Sequence, residues 1–400
     1  SRIHEAEVVG LCRDLVRFKS VNPPGDELEI AEYVAGVLRE AGLTVEMIPH
    51  TPTRASVLAR LKGPSTIPST ALRAGLRTSS GAVPALFYTG HLDVVPVGAE
   101  EWLHDPFGGE VSEGKLWGRG SSDMKGGNAA MIAAARVLAA AKLPLKGDLI
   151  LAFTAGEEHD MLGAAEIAAR SDLAPVQAVV VAEPSHNGVY VAEKGVLWLK
   201  ITTYGKTAHG AMPHLGQNAI MMMTALMSEL ESLVVPHYEE HPLLGGFTRS
   251  INTIVGGVKI NVVPDRCEVT IDQRTVPGQD HGAIVNQVEE LIADLGRRLP
   301  DFCASLEVIN DRMPVTTSPQ EAVVQRFCDV VAEVVGARPV PKGVNYCTDA
   351  VEFAPTLSAP MIICGPGDAR LAHQPNEYVE VTKLVEAARI FTLAAARLLT

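Results

Sequence analysis

Short runs of apolar residues recur along the chain, and each ends close to a residue able to bind a metal or carry a proton. Ala85-Leu86-Phe87-Tyr88-Thr89 leads into Gly90-His91-Leu92-Asp93, and Leu149-Ile150-Leu151-Ala152-Phe153-Thr154 leads into Ala155-Gly156-Glu157-Glu158. Ala178-Val179-Val180-Val181-Ala182 delivers Glu183, and Pro360-Met361-Ile362-Ile363-Cys364 opens a Gly365-Pro366-Gly367 turn with His373 a few residues on. Because the runs are continuous and not alternating, they predict strands buried on both faces, as in a mostly parallel sheet flanked by helices. In an open α/β sheet, ligands gather outside the carboxyl ends of the strands, so residues far apart in sequence can meet in one crevice.

Between these runs the pattern turns helical. Helices are predicted over about Ile3 to Phe18, over Glu27 to Ala41 on the spacing of Ile30, Val34, Val37 and Leu38, and over an Ala-rich stretch from Asn128 to Ala141. The last follows a Gly-rich loop, Gly118 to Gly127, that holds Asp123, and a helix N-terminus favours an ionised carboxylate. Lys62 to Val83, rich in Ser, Thr, Gly and Pro, reads as an irregular excursion between strands in which mobility and no chemistry are expected.

After Lys194 the grammar changes to strand (Val196 to Tyr204), helix (Gln217 to Val235), strand (Ser250 to Val255), strand (Asp265 to Arg274), helix (His281 to Leu299) and strand (Ala304 to Ile309). That β-α-β-β-α-β order predicts an α+β ferredoxin-like domain, residues 195–313, inserted into an α/β domain of residues 1–194 and 314–400 that resumes with a helix from Pro319 to Val335. At 400 residues, two domains is also what chain length alone suggests.

Composition narrows the partners. A net charge of −13 without a basic stripe argues against nucleic acid, and no apolar run reaches the eighteen or so residues that span a membrane. Six dispersed cysteines without a C-x-x-C pair suggest neither a thiolate zinc site nor a disulfide framework, so a cytoplasmic setting is expected.

The candidate chemistry lies in five ligand-type residues, His91, Asp123, Glu158, Glu183 and His373, enough to hold two divalent metals. In an extended segment His91 and Asp93 face the same side, so the Asp93 carboxylate can steady the imidazole, although a surface loop carries the same tripeptide often enough. Adjacent Glu157 and Glu158 point in different directions, so one can ligate metal while the other reaches water. Glu183 ends a buried run and needs a partner there.

These segments resemble the motifs of the dinuclear zinc amidohydrolases, the family of acetylornithine deacetylase, succinyl-diaminopimelate desuccinylase, aminoacylase and glutamate carboxypeptidase. The likeness rests on residues 87–96, residues 117–127, Gly156-Glu157-Glu158 and Ala182-Glu183-Pro184, in order along the chain. It implies a zinc-peptidase-like catalytic domain in which Asp123 bridges two metals, His91 and Glu183 complete one site, and Glu158 and His373 complete the other. It further implies zinc, replaceable by cobalt or manganese, with Glu157 as general base acting on a water shared by metals about 3.5–4 Å apart. The inserted domain would be a lid and dimerisation domain. His209, in Gly205-Lys206-Thr207-Ala208-His209, would reach across a homodimer, and Arg274 and Asn261 would hold the substrate carboxylate.

The expected reaction is hydrolysis of an N-acyl-amino acid amide. A metallo-carboxypeptidase or dipeptidase acting on short peptides is the alternative, and a non-catalytic metal- or peptide-binding protein a further one. The chain departs from acetylornithine deacetylases at Asp349, where glutamate is usual, and at Gly210-Ala211, where paired serines are usual, which leaves the acyl group and amino acid open.

Overall fold

The computed structural model describes residues 2–63, 83–173, 175–236 and 239–400. Residues 64–82 of the excursion expected between the first strands lie outside them. The chain forms two compact units, one of Ser1–Ala192, Thr316–Gly343 and Thr348–Thr400, the other of Glu193–Val315 with the short stretch Val344–Cys347.

In the first unit the four apolar runs become strands Ala85–His91, Leu149–Thr154, Val176–Val181 and Met361–Ile363. Nearly every residue in them is buried, which is why no alternation is visible in the sequence. They run parallel in the order Leu149–Thr154, Ala85–His91, Val176–Val181, Met361–Ile363. The sheet continues beyond Leu149–Thr154 with an antiparallel pair, Ala55–Leu61 and Thr44–Pro49. The result is a mixed α/β sheet with a parallel centre.

Helices Glu5–Arg17, Gly126–Ala141 and Val381–Leu398 pack on one another, and Leu162–Ala168 packs on Ala350–Leu357. Ala129, Ala130, Ala133, Ala134 and Ala135 of Gly126–Ala141 are buried and let this helix approach its neighbours closely. Tyr88, fully buried in the central strand, donates its hydroxyl to the Phe391 carbonyl at 2.8 Å and so pins the C-terminal helix to the sheet. At the point where the chain leaves this unit and returns to it, Thr317 N donates to the Val191 carbonyl at 2.8 Å.

The second unit is a four-stranded antiparallel sheet in the order Thr248–Gly256, Arg266–Thr275, Gly195–Tyr204, Ala304–Arg312, with helices Ala219–Glu231 and His281–Arg298. This is the ferredoxin-like order. Residues along Arg266–Thr275 alternate between buried and less buried, and Cys267, Val269 and Ile271 join Leu197, Leu199 and Ile201 against Met223, Leu226, Ile284, Val288 and Leu291. Asn218 and Asp280 cap the two helices, their side chains accepting from the second and third backbone amides beyond them. The first helix stops at Glu231, short of the expected Val235; in a continued helix Pro236 would leave the Ser232 carbonyl without a donor and clash with it. Among the described residues, no helix is long and apolar enough to cross a membrane.

Candidate metal centre

The parallel strands deliver the candidate ligands to one edge of the sheet. Ala85–His91 ends on His91, paired with Thr154, three positions before Glu157; Val176–Val181 ends two positions before Glu183. Asp123 comes from the irregular turn Ser121–Lys125 that opens helix Gly126–Ala141. His373, in left-handed backbone (φ 63°), comes from the loop after Met361–Ile363.

The two oxygens of Asp123 look in different directions. Oδ1 lies 3.1 Å from His91 Nε2, which is itself 3.6 Å from Glu183 Oε1. Oδ2 lies 3.6 Å from His373 Nε2, which is 2.9 Å from Glu158 Oε2. His91, Asp123 and Glu183 therefore form one group of three donors, and Asp123, Glu158 and His373 another, with the donor atoms of each within 4.8 Å of one another. All five ligand candidates are brought together, and Asp123 belongs to both groups.

The electrostatics of the site call for cations. Burial pushes the carboxyls of Glu157 and Glu183 well above the usual carboxylate range, and their mutual repulsion, with Asp123, Glu158 and Asp349 adding to it, pushes the same way; His91 opposes both shifts. Burial also raises Glu158, with Asp123 adding and His373 opposing, and it raises Asp349 to about 7 even though Thr154 donates a hydrogen bond to it. Burial acts against a charged His91 too, yet Asp123, Asp93 and Glu183 outweigh it and hold the imidazole well above its ordinary value. Asp123 alone of the ligand carboxylates is held low, because His91 and His373 outweigh its burial. The set has more negative groups than two imidazoles can neutralise. Oxygen and nitrogen donors in two triads suit two divalent metal ions, which would supply the missing positive charge.

Asp93 serves both His91 and the turn that carries Glu157 and Glu158. His91 Nδ1 donates to the Asp93 main-chain carbonyl at 2.9 Å, while the nearest carboxylate oxygen is 3.5 Å away. That carboxylate is turned instead toward the Glu157 loop, accepting from Gly156 N, Glu157 N and Glu158 N at 3.1–3.2 Å, and from Asn22 Nδ2 at 2.9 Å. Asp93 thus steadies the imidazole with its backbone and the adjacent glutamates with its side chain. The additional contacts have a simple cause, since three backbone N–H groups in one turn offer a buried carboxylate more partners than one ring nitrogen does, while the carboxylate stays 3.5 Å from His91 Nδ1.

The same turn is braced from its other side. Arg54 makes a two-pronged pair with Asp160 (2.7 and 2.9 Å), and Ser56 Oγ accepts from Ala155 N at 3.0 Å. Gly156, at φ 88°, takes a left-handed conformation beside Arg54 and Asp160, where a side chain would collide with both. Neither Asn22 nor Arg54 nor Asp160 stands out in the sequence, because each acts through contacts with distant segments. Among the described residues, no side chain donates a hydrogen bond to the Glu157 carboxylate, which leaves it available to a substrate or water.

The remaining three candidates belong to the second unit. His209 is exposed, and its Nδ1 accepts from Ala211 N at 3.0 Å, so the neutral ring carries its proton on Nε2 and presents a donor. Asn261 lies beside it, its carbonyl accepting from Gly210 N at 2.8 Å. Arg274 is committed within its own strand, donating from Nε and Nη2 to Asp272 at 2.9 and 3.1 Å.

Comparison with known proteins places this geometry. The family model "Peptidase family M20/M25/M40" matches residues 87–397. A probable succinyl-diaminopimelate desuccinylase of Staphylococcus epidermidis is 27% identical over 404 residues, 94% of each chain. An acetylornithine deacetylase of Myxococcus xanthus is 32% identical over 317 residues, 78% of this chain and 80% of the relative. Among solved structures, an M20-family metallo-carboxypeptidase from Sulfolobus solfataricus superimposes with a TM-score of 0.80 at 19% identity, covering 98% of both chains. The chain belongs to peptidase family M20/M25/M40.

Proposed function

We propose that this member of peptidase family M20/M25/M40, a metal-dependent hydrolase, cleaves the amide bond of N-acyl-amino acids of the kind named by its desuccinylase and deacetylase relatives. The observation that carries the reading is Asp123 shared between two donor triads with Glu157 unengaged beside them.

His91, Asp123 and Glu183 would hold one cation, and Asp123, Glu158 and His373 the other, zinc being the ion that suits this donor set. When bound, the ions polarise the amide carbonyl and acidify water. Glu157 takes the proton of the attacking water and later returns it to the leaving amine, a role served by a carboxyl raised toward the working pH. The inserted unit acts as lid and dimerisation domain. His209, with its Nε2 proton outward, donates to the developing oxyanion from the partner subunit, Asn261 beside it contacts the substrate carboxylate, and Arg274 turns from Asp272 to do the same. A homodimer is supported by exposed apolar residues on and after strand Thr248–Gly256, namely Ile254, Val255, Val258 and Ile260. Cysteines without disulfides fit a cytoplasmic enzyme.

The test is metal content together with hydrolysis of N-acetyl- and N-succinyl-amino acids against dipeptides, with and without chelator. The expected outcome is about two metals per chain and chelator-sensitive cleavage of acyl-amino acids in preference to dipeptides. Glu157→Ala should lose about a hundredfold or more in kcat while its metal content stays that of the wild type. Preference for dipeptides would transfer the reading to the peptidase alternative, and metal loss in Glu157→Ala would make Glu157 a ligand.

A further inference from the structure

Glu377 stands four residues after His373, and its side chain is fully buried. Strand Tyr378–Glu380 pairs antiparallel with Lys115–Trp117, setting Tyr378 opposite Trp117, and Gly118 N donates to the Glu377 carbonyl at 2.8 Å. This register brings the Glu377 carboxylate against the loop that carries Asp123. Its Oε2 accepts from Arg119 Nη1 at 2.6 Å and from Gly120 N at 3.0 Å. Its Oε1 accepts from Ser122 N and Asp123 N, both at 2.9 Å.

A carboxylate offers about four lone-pair positions, and here four donors fill them. Three of those donors are consecutive or near-consecutive backbone amides, and the last belongs to Asp123, whose two oxygens face His91 and His373. Two i→i+5 backbone bonds, Lys125 N to the Gly120 carbonyl at 2.7 Å and Gly126 N to the Ser121 carbonyl, close the segment Ser121–Lys125, but Asp123 inside it is non-helical at φ −121° and ψ 92°, and its own N–H goes to Glu377. One short stretch, His373 to Glu377, therefore supplies a ligand to one triad and grips the backbone of the residue common to both.

We propose that Glu377 is the positioning residue of the metal centre: it fixes the Asp123 backbone so that both carboxylate oxygens are aimed, and in doing so it sets the affinity for both cations together. The inference rests on Asp123 as the shared ligand. A merely structural role would lower stability and leave the metal affinity of the folded protein alone, so the readout is metal binding and not activity.

Glu377→Gln keeps the size of the side chain but sets an amide N–H₂ against backbone N–H groups or Arg119. Glu377→Asp keeps the charge and withdraws it by one methylene, and it serves should the glutamine variant fail to fold. On the full-length apo-protein, zinc titrated in competition with a chromophoric chelator should bind about ten- to a hundredfold more weakly at both sites in either variant, and the absorption bands of the cobalt-loaded protein should shift. Val330→Ala, a core truncation in helix Ala322–Val335, supplies the control: reduced melting temperature with zinc affinity unchanged. Wild-type affinity in a folded Glu377 variant, or weakening at one site only, overturns the proposal. Asp123→Ala measured in parallel separates the two levels. If that variant still binds two zinc ions as tightly as the wild type, the shared-ligand reading fails and the inference with it; if it is emptied while Glu377→Gln is not, only the role of Glu377 fails.

Discussion

Asp349 sets a pH dependence of its own at the metal centre. It is buried, its carboxyl is raised to about 7, and one of its oxygens has no hydrogen-bond partner among the described residues. Because the native state holds this proton more tightly than the unfolded chain, stability from Asp349 is complete below the ordinary value of 3.8 and is lost as pH rises through about 7. Glu157 and Glu183, raised in the same sense, and His91, whose contribution fades above the ordinary imidazole range, add to the decline. Asp93 and Asp123 are shifted downward and lose their contribution only in stronger acid. The metal-free protein should thus melt at higher temperature near about pH 5 than near about pH 8, and Asp349→Asn should flatten part of that slope. A slope unchanged by the substitution in chelator-treated protein would remove Asp349 from the account. At this scale the sequence reveals residues that end an apolar run, such as His91 and Glu183, because a carboxylate or imidazole there needs a reason. It hides Glu377, Asn22 and Arg54, whose partners lie from 27 to 258 positions away.

Elements separate in the same way. The four parallel strands are legible because burial on both faces demands continuous apolar residues, and the ferredoxin-like unit is legible because strand Arg266–Thr275 alternates and its helices repeat every three to four residues. Strands Val111–Ser112, Lys115–Trp117 and Tyr378–Glu380 escape notice, being too short to carry any period, yet their pairing sets the register of Glu377. Thr44–Pro49 and Ala55–Leu61 form an antiparallel margin that continuous runs elsewhere do not announce. The capped helices of the second unit allow a test of local stability. Asn218→Ala and Asp280→Ala should each cost about 1 kcal/mol in chemical denaturation, with zinc content unaffected. A loss of metal in either would mean that the first unit depends on helix ends it does not contain.

For the whole molecule, the assignment of His209 to a partner subunit predicts a particular complementation. Glu157→Ala and His209→Ala proteins, each inactive alone, should regain part of the wild-type rate when mixed and allowed to exchange subunits. Heterodimers proven by mass yet inactive would assign His209 to its own chain's centre or to none.

The hydrogen bond from Thr317 to Val191 joins the two points at which the long excursion Glu193–Val315 leaves the first unit and returns to it, Val344–Cys347 being a second and much shorter departure. In terms of chain topology, everything between is an appendix hung on a gap already closed, and the entropy of closing it depends only weakly on how long the appendix is. Lengthening or trimming the appendix should therefore cost little in closing that gap and leave the folding of the segment that carries both donor triads largely alone.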